Sequence, residues 1–341
     1  MSDAPSASSA IGTDGSVLIR GRRVMEPENA TSDQPGAAGE RAGVLIISAG
    51  PDEQGEAVAL ELTRRKVPVW RWNLQAFPRR SPLSIHLDPH AASGVGGVLR
   101  TADGDLSLDL VKSVWLRRTM SALFALEDQP DDIAIFVRLE LEAAFRGLVD
   151  VLRRAFWVNP PLALYAMESG IMQLQAAMAA GLTVPRTVVT TDAGQARDFY
   201  DAAGGRVVVK SLTGQGVHRV PPGLLDRVAR ARSAPCFLQE ELLREADVHV
   251  LIIGRQIVAA ESRSTKSPYR PYELPPSAAA ACLRLLHARG LVFGAVEMIR
   301  RPGGEHVFLA FNASAEWSSL DRITGQRLTT AFADLLEEGL R

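Results

Sequence analysis

The chain has 341 residues, of which 46% are hydrophobic and 23% charged, and its formal net charge is -1. This composition is ordinary for a globular protein. The length is enough for two domains or more. The near balance of charge gives no electrostatic reason to expect nucleic acid or an anionic membrane as partner, and no apolar run reaches the ~18 residues of a bilayer span. Cys236 and Cys282 have no metal or redox spacing, so we expect free thiols and a cytoplasmic location.

Residues 1–41 are rich in Ser, Ala, Gly, Pro and Asp and lack the pattern of a signal peptide. Such a segment cannot bury enough apolar surface to offset the entropy of ordering, which predicts a mostly disordered tail. The run from Val17 to Val24 interrupts it with apolar and arginine residues. This run could add to a sheet edge or dock on a partner, and a loose apolar patch in the arm is the alternative.

The first ordered part reads as strand, helix and strand. Gly43–Ser48 is an apolar run, an amphipathic segment follows at 53–65, and a second strand pattern covers 67–72. This order predicts a parallel sheet with a right-handed crossover. Further short strands are predicted at 84–87, 97–99, 106–108 and 111–116. Asp103 and Gly104 favour a tight turn, so the strands around them are expected to form a hairpin.

A long helix is predicted over 133–155, because apolar residues recur there at steps of three and four. Pro160 and Pro161 end this pattern, and we place a domain boundary there. A second helix, at 168–180, stops at Gly181. Later helices are predicted at 193–203, 277–289 and 328–340, and strands at 184–190, 206–210, 236–239, 248–253, 256–262, 293–299 and 308–312.

Two places at strand ends are candidates for nucleotide binding. Lys210 ends a strand of valines and precedes a glycine-bearing turn, so its ammonium and nearby amides could face phosphates. The alternative is a solvated lysine at an ordinary strand end. Gln239, Glu240 and Glu241 suit a hinge whose amides and carboxylates hydrogen-bond an adenine or a ribose. The alternative there is a strand running into an exposed helix start.

Two further places could bind an acid or a metal. Arg117 and Arg118 follow a buried strand and could clamp a carboxylate or a phosphate, unless one of them is simply solvated. Glu297 and Asn312 offer the hard oxygen ligands that Mg²⁺ prefers. Ala310, two residues before Asn312, can bind no metal.

His249 lies two residues from Asp247 on a predicted strand, so both side chains are expected on one face of the sheet. An Asp-x-His pair on a strand could hold a metal with a third ligand. The alternative is a histidine that is hydrogen-bonded for structural reasons.

Several short motifs occur in a fixed order between residues 43 and 337. They are Trp115-Leu116-Arg117-Arg118, Phe156-Trp157-Val158-Asn159-Pro160, Gln173-Leu174-x-Ala176, Gly181-Leu182-x-Val184-Pro185-x-Thr187, Val209-Lys210, Leu238-Gln239-Glu240, Leu291-x-Phe293-Gly294, and Trp317 followed by Thr324-Gly325. In this order the chain resembles the ATP-grasp superfamily, and within it the microviridin or graspetide type of ligase that modifies ribosomal peptides.

The resemblance implies an α/β fold in which a Rossmann-like pre-ATP-grasp domain precedes a two-lobed ATP-grasp domain. The expected division is a tail at 1–41, the first domain at 42–158, the small lobe with a linker helix at 159–241 and the large lobe at 242–341. It also implies ATP and Mg²⁺ as cofactors and a ribosomal precursor peptide as partner. ATP would activate a side-chain carboxylate of the peptide, which a hydroxyl or an amine then attacks to form an ester or an amide.

The resemblance also assigns roles to the candidate residues. Lys210 would contact the nucleotide phosphates, and the hinge Gln239-Glu240-Glu241 would contact the base and ribose. Glu297 and Asn312 would hold the metals, and Arg117 with Arg118 would face the carboxylate or the peptide.

Four positions depart from the pattern that the resemblance implies. Gly170 stands where a lysine is usual, His249 replaces an arginine, Glu297 replaces an aspartate and Ala310 replaces a glutamate. Three of these changes remove a charged group from the ATP site. Glu316, further along the same loop, could replace the missing carboxylate.

The departures leave several hypotheses open. The prediction is a working peptide ligase. The first alternative is a catalytically degenerate relative that binds a peptide, a nucleotide or a partner ligase, and the second is a small-molecule ligase with altered metal ligands. Whether it is an enzyme stays open, as does a homodimer or a partner ligase.

Overall fold

The computed structural model describes residues 41–90, 94–117, 131–212, 217–219, 235–262, 268–325 and 327–341, with residues 131, 132 and 217–219 described by backbone only. The tail predicted for residues 1–41 lies outside them apart from Arg41, and so does the predicted site residue Arg118. No helix in these ranges is both long and apolar enough to cross a bilayer.

The first half of the described chain has seven strands and two long helices. In chain order its elements are β1 (Gly43–Ser48), α1 (Glu53–Arg64), β2 (Val69–Asn73), β3 (Leu83–Leu87), β4 (Val95–Thr101), β5 (Gly104–Ser107), β6 (Val111–Leu116), α2 (Asp131–Val151) and β7 (Phe156–Val158).

The second half contains most of the antiparallel strands. Its elements are α3 (Pro161–Tyr165), α4 (Gly170–Ala179), β8 (Thr187–Thr190), α5 (Ala193–Ala202), β9 (Val207–Lys210), β10 (Val217–Arg219), β11 (Cys236–Glu240), β12 (Ala246–Ile253), β13 (Gln256–Ser262), β14 (Arg270–Pro271), α6 (Pro276–His287), β15 (Phe293–Arg300), β16 (His306–Asn312), α7 (Ser318–Thr324) and α8 (Leu328–Glu338).

The predicted parallel sheet is confirmed. Its strand order is β2-β1-β6-β7, and each neighbouring pair runs parallel. The middle of β1 is buried on both faces, as a parallel sheet covered by helices requires. The predicted hairpin is confirmed too, because β4 and β5 pair antiparallel with Thr101 opposite Gly104. Gly104 has φ 117, which favours glycine at this turn.

β3, β4 and β5 form a small antiparallel sheet of their own, and two larger antiparallel sheets follow later in the chain. The first of the larger sheets has the order β10-β9-β11-β8 and the second the order β14-β13-β12-β15-β16. Aromatic side chains pack the sheet β14-β13-β12-β15-β16 against the first half of the chain. Trp115 of β6 lies with its ring centroid 4.2 Å from that of Phe332 in α8, and Phe332 lies 4.9 Å from Phe293 of β15.

The sequence misplaces the elements around residue 155. The helix predicted over 133–155 ends at Val151, and Phe156–Val158, where no strand was predicted, forms β7. The edge of β6 supplies hydrogen-bond partners for these three residues. The indole Nε1 of Trp157 donates to the carbonyl oxygen of Leu152 at 3.0 Å, which fixes the turn between helix and strand. Pro161 begins α3, a position at which proline's missing N–H costs nothing.

Candidate functional site

A cavity of about 510 Å³, here called the lysine cavity, is lined by residues from the two larger antiparallel sheets and from α4. It brings together most of the predicted site residues. Those that line it are Lys210, Gln239, Glu240, Glu241 and Glu297. Ala310 and His249, two of the departures, line the same cavity. Asn312 and Arg117 are not among its lining residues.

Lys210 lies at the end of β9 and lines the lysine cavity. Its Nζ donates a hydrogen bond to the carbonyl oxygen of Leu309 in β16 at 3.3 Å. Burial lowers the pKa of Lys210, the carboxylate of Glu297 opposes that shift, and the guanidinium of Arg244 adds to it. The ammonium is therefore already held against one wall and is partly desolvated.

The backbone amides of the predicted hinge, Gln239-Glu240-Glu241, are not arranged as predicted. The amide of Glu240 donates to the carbonyl oxygen of Arg186 at 3.0 Å, and the amide of Glu241 donates to that of Arg206 at 2.9 Å. The expectation that these two amides are available to an adenine is therefore wrong. Their carboxylates do line the cavity, and the Glu240 carboxylate lies 4.0 Å from the Arg186 guanidinium.

β11 closes one side of the lysine cavity with two buried side chains. Gln239 is 1% exposed, and its Nε2 donates to the hydroxyl of Thr187 at 3.0 Å. Phe237 is 3% exposed and packs against Gly170, the first residue of α4. A Cβ added at Gly170 would lie 2.4 Å from the Phe237 ring. A lysine at position 170 therefore cannot enter without moving this ring.

The predicted magnesium ligands are incomplete. Glu297 of β15 is exposed, and the residue directly opposite it in β16 is Ala310. The Oδ1 of Asn312 accepts a hydrogen bond from the amide of Ser314 at 2.9 Å. In the ranges that the structure covers, no group of three or more His, Cys, Asp or Glu side chains could hold a metal ion. Of the two acidic positions that the resemblance implies, the chain keeps one carboxylate, Glu297, and Ala310 supplies none, so the expected pair of acidic ligands is not present.

His249 lies directly opposite Glu297 in the pairing of β12 with β15. Burial lowers the pKa of His249, and the Glu297 carboxylate opposes that shift without reversing it. The imidazole is therefore mainly neutral at about pH 7, and it supplies no fixed positive charge in place of an arginine. Asp247, on the same strand, accepts from the Arg244 Nη1 at 3.0 Å rather than from His249.

Among the lining residues of the lysine cavity that the structure describes, acidic side chains outnumber basic ones. Within the part of the chain that the structure describes, its lining carries the carboxylates of Glu240, Glu241, Asp247 and Glu297 against the cations Lys210 and Arg244. A triphosphate carries several negative charges, so this lining repels it unless metal ions bind with it.

Arg117 belongs to a second cavity of about 310 Å³, here called the arginine cavity. It is 7% exposed, and its Nε donates to both carboxylate oxygens of Asp52, at 3.0 and 2.9 Å. Glu316 lines this second cavity and not the lysine cavity. The idea that Glu316 replaces the carboxylate missing at Ala310 therefore finds no support in this arrangement.

Sequence reasoning missed Asp52 and Gln54, which also line the arginine cavity. The available signal was their place directly after a buried parallel strand, at the start of α1. Ligand sites in open α/β sheets occur at this edge.

Residues 43–164 match the family model described as "MvdD pre-ATP grasp domain". A search of curated protein sequences finds no match.

Solved structures resemble nearly the whole described chain. The macrocyclase MdnC from Microcystis aeruginosa MRC, bound with precursor peptide MdnA, is 23% identical with a TM-score of 0.77, covering 86% of this chain and 99% of that one. The macrocyclase MdnB from the same organism is 24% identical with a TM-score of 0.76, covering 86% and 99%. A RiPP-associated ATP-grasp ligase from Chryseobacterium gregarium, in complex with ADP and a leader and core peptide, is 23% identical with a TM-score of 0.77, covering 87% and 97%.

The fold is therefore that of an ATP-grasp ligase with a pre-ATP-grasp domain before it. Residues 43–164 are similar to the MvdD type of that first domain. The predicted resemblance to graspetide-type maturases is confirmed at the level of the fold and of this domain.

Proposed function

We propose that this protein acts in the maturation of a ribosomally synthesised peptide, as a catalytically degenerate ATP-grasp protein that binds a precursor peptide and accompanies an active ligase. The relatives of the same fold include a macrocyclase crystallised with its precursor peptide, which supports a peptide as the partner. The observation that carries the loss of catalysis is Ala310, which stands directly opposite Glu297 where a second metal carboxylate is expected.

The physical argument is one of uncompensated charge. Phosphoryl transfer depends on positioning and on neutralising the charge that spreads over the phosphate oxygens. Here the positions of Gly170, His249 and Ala310 bring no fixed charge to the cavity lining. If each missing group costs about 2–4 kcal/mol of transition-state stabilisation, the three together lower the rate by many powers of ten.

A second candidate function is ATP-dependent ligation by this chain itself, joining a carboxylate of the peptide to a hydroxyl or an amine. The observation that favours it is that Lys210, the hinge carboxylates and Glu297 all line one cavity of about 510 Å³, which suits a nucleotide. When bound, ATP would supply the phosphoryl group that activates the carboxylate. Lys210 would then contact the phosphates, and the carboxylates of Glu240 and Glu241 would contact the ribose.

Titration calorimetry with ATP, with and without Mg²⁺, tests the choice between the two candidates. For the accessory role, Mg²⁺ leaves the ATP affinity of the parent protein unchanged, and Ala310→Glu makes it magnesium-dependent and about tenfold tighter or more. The reason is that the introduced carboxylate would stand beside Glu297 and complete a pair of acidic ligands. The control is Ala310→Gln, whose new side chain has a similar volume and no charge.

A parent protein that binds Mg-ATP as tightly as the Ala310→Glu variant would refute the accessory role. Release of ADP from ATP by the parent, in the presence of a candidate precursor peptide, would establish the ligase instead.

A further inference from the structure

A cleft of about 610 Å³ lies where the C-terminal ends of α4 and α6 come together, and it is here called the helix-end cleft. Small and apolar residues make up more than half of its lining, namely Ala176, Ala179, Ala180, Leu283, Leu285 and Ala288. The described residues that line it are all different from those that line the lysine cavity. The helix-end cleft is therefore a separate surface of the molecule.

The charged side chains of the helix-end cleft are all basic. Arg255 comes from the turn between β12 and β13, Arg284 from α6, and Arg289 from the segment after α6. Within the part of the chain that the structure describes, the cleft has no acidic lining residue, and no ion pair involves these three arginines. Because like charges that converge without a counter-charge repel one another, this arrangement indicates an anionic partner from outside.

Helix capping explains only some of these basic residues. The Nε and Nη2 of Arg284 donate to the carbonyl oxygen of Ala180, the C-cap residue of α4, at 3.1 and 2.9 Å. The Nε2 of His287 donates to the carbonyl oxygen of Gly254 at 3.3 Å. Arg284 and His287 also lie in the last turn of α6, where the helix dipole favours cations. Arg255 belongs to a turn between strands, so the helix ends do not account for it.

The apolar lining favours a peptide over a simple anion. Ala179 is exposed and Leu283 is half-buried, and Met178, directly before Ala179, is 60% exposed. An inorganic ion gains nothing from such a surface, whereas a peptide with both acidic and apolar side chains can use it together with the arginines. The planar guanidinium also matches a carboxylate. The chain's net charge of -1 gives no general attraction for a long polyanion such as nucleic acid.

We propose that the helix-end cleft is a docking surface for an acidic segment of a partner protein. The carboxylates of that segment pair with Arg255, Arg284 and Arg289, and its apolar side chains pack on Ala179 and Leu283. This inference goes beyond the proposed function and does not rest on it, because docking here needs no nucleotide and no metal.

The test is fluorescence anisotropy on the full chain without nucleotide. The probe is a short labelled peptide with glutamates and leucines in equal number. Its analogues carry glutamine in place of glutamate, or serine in place of leucine, and the competitors are inorganic phosphate and a short single-stranded DNA. The glutamate peptide should bind about tenfold more tightly than the glutamine analogue, and its affinity should fall as NaCl rises from about 0.05 to 0.3 M.

The double variant Arg255→Gln with Arg289→Gln locates the binding site. It should weaken binding of the glutamate peptide about fivefold to tenfold, since two surface ion pairs are lost. The matched control is Arg79→Gln with Arg80→Gln, which removes the same charge at two exposed arginines outside the cleft and should leave the affinity within about twofold.

A variant of the apolar lining gives a second measurement that leaves the arginines intact. Ala179→Glu places a carboxylate in the cleft from an exposed position, where it competes with the peptide for the guanidiniums and should weaken binding about fivefold. Ala179→Gln, with a side chain of similar size and no charge, is its control and should stay within about twofold of the parent.

Four results would overturn parts of this proposal. Equal affinity for the glutamate peptide and its glutamine analogue would overturn the acidic ligand, and equal losses in an arginine or alanine variant and its control would overturn the location. Tighter binding of phosphate or DNA than of the peptide would overturn the peptide as occupant. A serine analogue that binds as tightly as the leucine peptide would overturn the apolar contact. None of these outcomes depends on whether ATP binds in the lysine cavity.

Discussion

Gly170 and Phe237 show how two residues that are distant in sequence determine one wall of the lysine cavity. The ring of Phe237 occupies the space that any side chain at position 170 would need. The Phe237 ring therefore fills the space beside position 170, where the resemblance implies a lysine. A lysine at position 170 requires the Phe237 ring to shift or to be replaced by a smaller side chain.

This contact predicts that glycine-to-alanine substitutions at two helical positions change the free energy of unfolding in opposite directions. Gly170→Ala places a Cβ 2.4 Å from the Phe237 ring and should lower the free energy of unfolding by about 1–3 kcal/mol, as overpacking does. Gly147→Ala in α2 meets no described atom within 4 Å and should raise it by about 0.5–1 kcal/mol. Urea unfolding of both variants measures this. Adding Phe237→Leu to Gly170→Ala should recover part of the loss, and a Gly170→Ala variant as stable as the parent would contradict the contact.

Some features of the candidate site could be predicted from the neighbouring sequence, and others could not. Lys210 and Glu297 could be predicted, because each places a charge at or within a strand of apolar residues. The use of the Glu240 amide by Arg186 could not be predicted, since it depends on how β8 and β11 meet in three dimensions. The same holds for the unpaired Nη1 of Arg117, which only the packing around Asp52 defines.

Among the helices and strands, those with a clear apolar pattern could be predicted from the sequence, and the shortest ones could not. β1 and β6 are long, apolar strands between clear turn signals, and their sheet was predicted correctly. β7 has three residues, too few to show a period of two, and it becomes a strand because the edge of β6 is available. α3 was missed because two prolines read as a break, although proline is favoured in a first helical turn.

α1 and α8 are joined by a charged cluster that predicts an acid dependence of stability. Arg65 bonds Glu61 at 2.8 Å in its own segment, and Asp334 at 2.6 Å and Glu337 at 2.8 Å in α8. Hydrogen bonds from Arg64 and then Arg65 lower the pKa of Glu61 from 4.5 to about 2. Because the folded pKa lies below the unfolded one, the stabilisation is complete above pH 4.5 and is lost as the pH falls through about 2.

Glu61→Gln should therefore lower the free energy of unfolding by about 1 kcal/mol or less near neutral pH, since the pairs lie at the surface and water screens them. The difference from the parent should shrink as the pH falls from 4.5 to about 2. Urea unfolding at a series of pH values measures this. The exposed Glu338→Gln in α8 is the control and should stay close to the parent throughout. A constant difference at all pH values would mean that Glu61 contributes through packing and not through charge.

At the scale of the whole molecule, the parallel sheet and the last antiparallel sheet share a core. Trp115 and Trp317 stack at 5.8 Å, and Phe332 lies 4.8 Å from Trp317. Asn159, just after β7, accepts from the amides of Val292 and Phe293 at 2.9 and 3.0 Å. The division at 42–158, 159–241 and 242–341 stays a prediction of domains. The shared contacts imply that the first and third of these ranges do not unfold independently.

Phe332→Ala tests this shared core. Removing the ring leaves a cavity between β6, β15 and the loop before α7, and it should lower the free energy of unfolding by about 3–5 kcal/mol. Unfolding in urea, followed by tryptophan fluorescence and by far-ultraviolet circular dichroism, should give one transition whose midpoint moves equally for both probes. Leu162→Ala, at a side chain that is 85% exposed, should leave the midpoint unchanged. A Phe332→Ala variant in which only part of the circular dichroism signal shifts would show instead that the first domain keeps a stability of its own, because it would then stay folded while the C-terminal sheet melts.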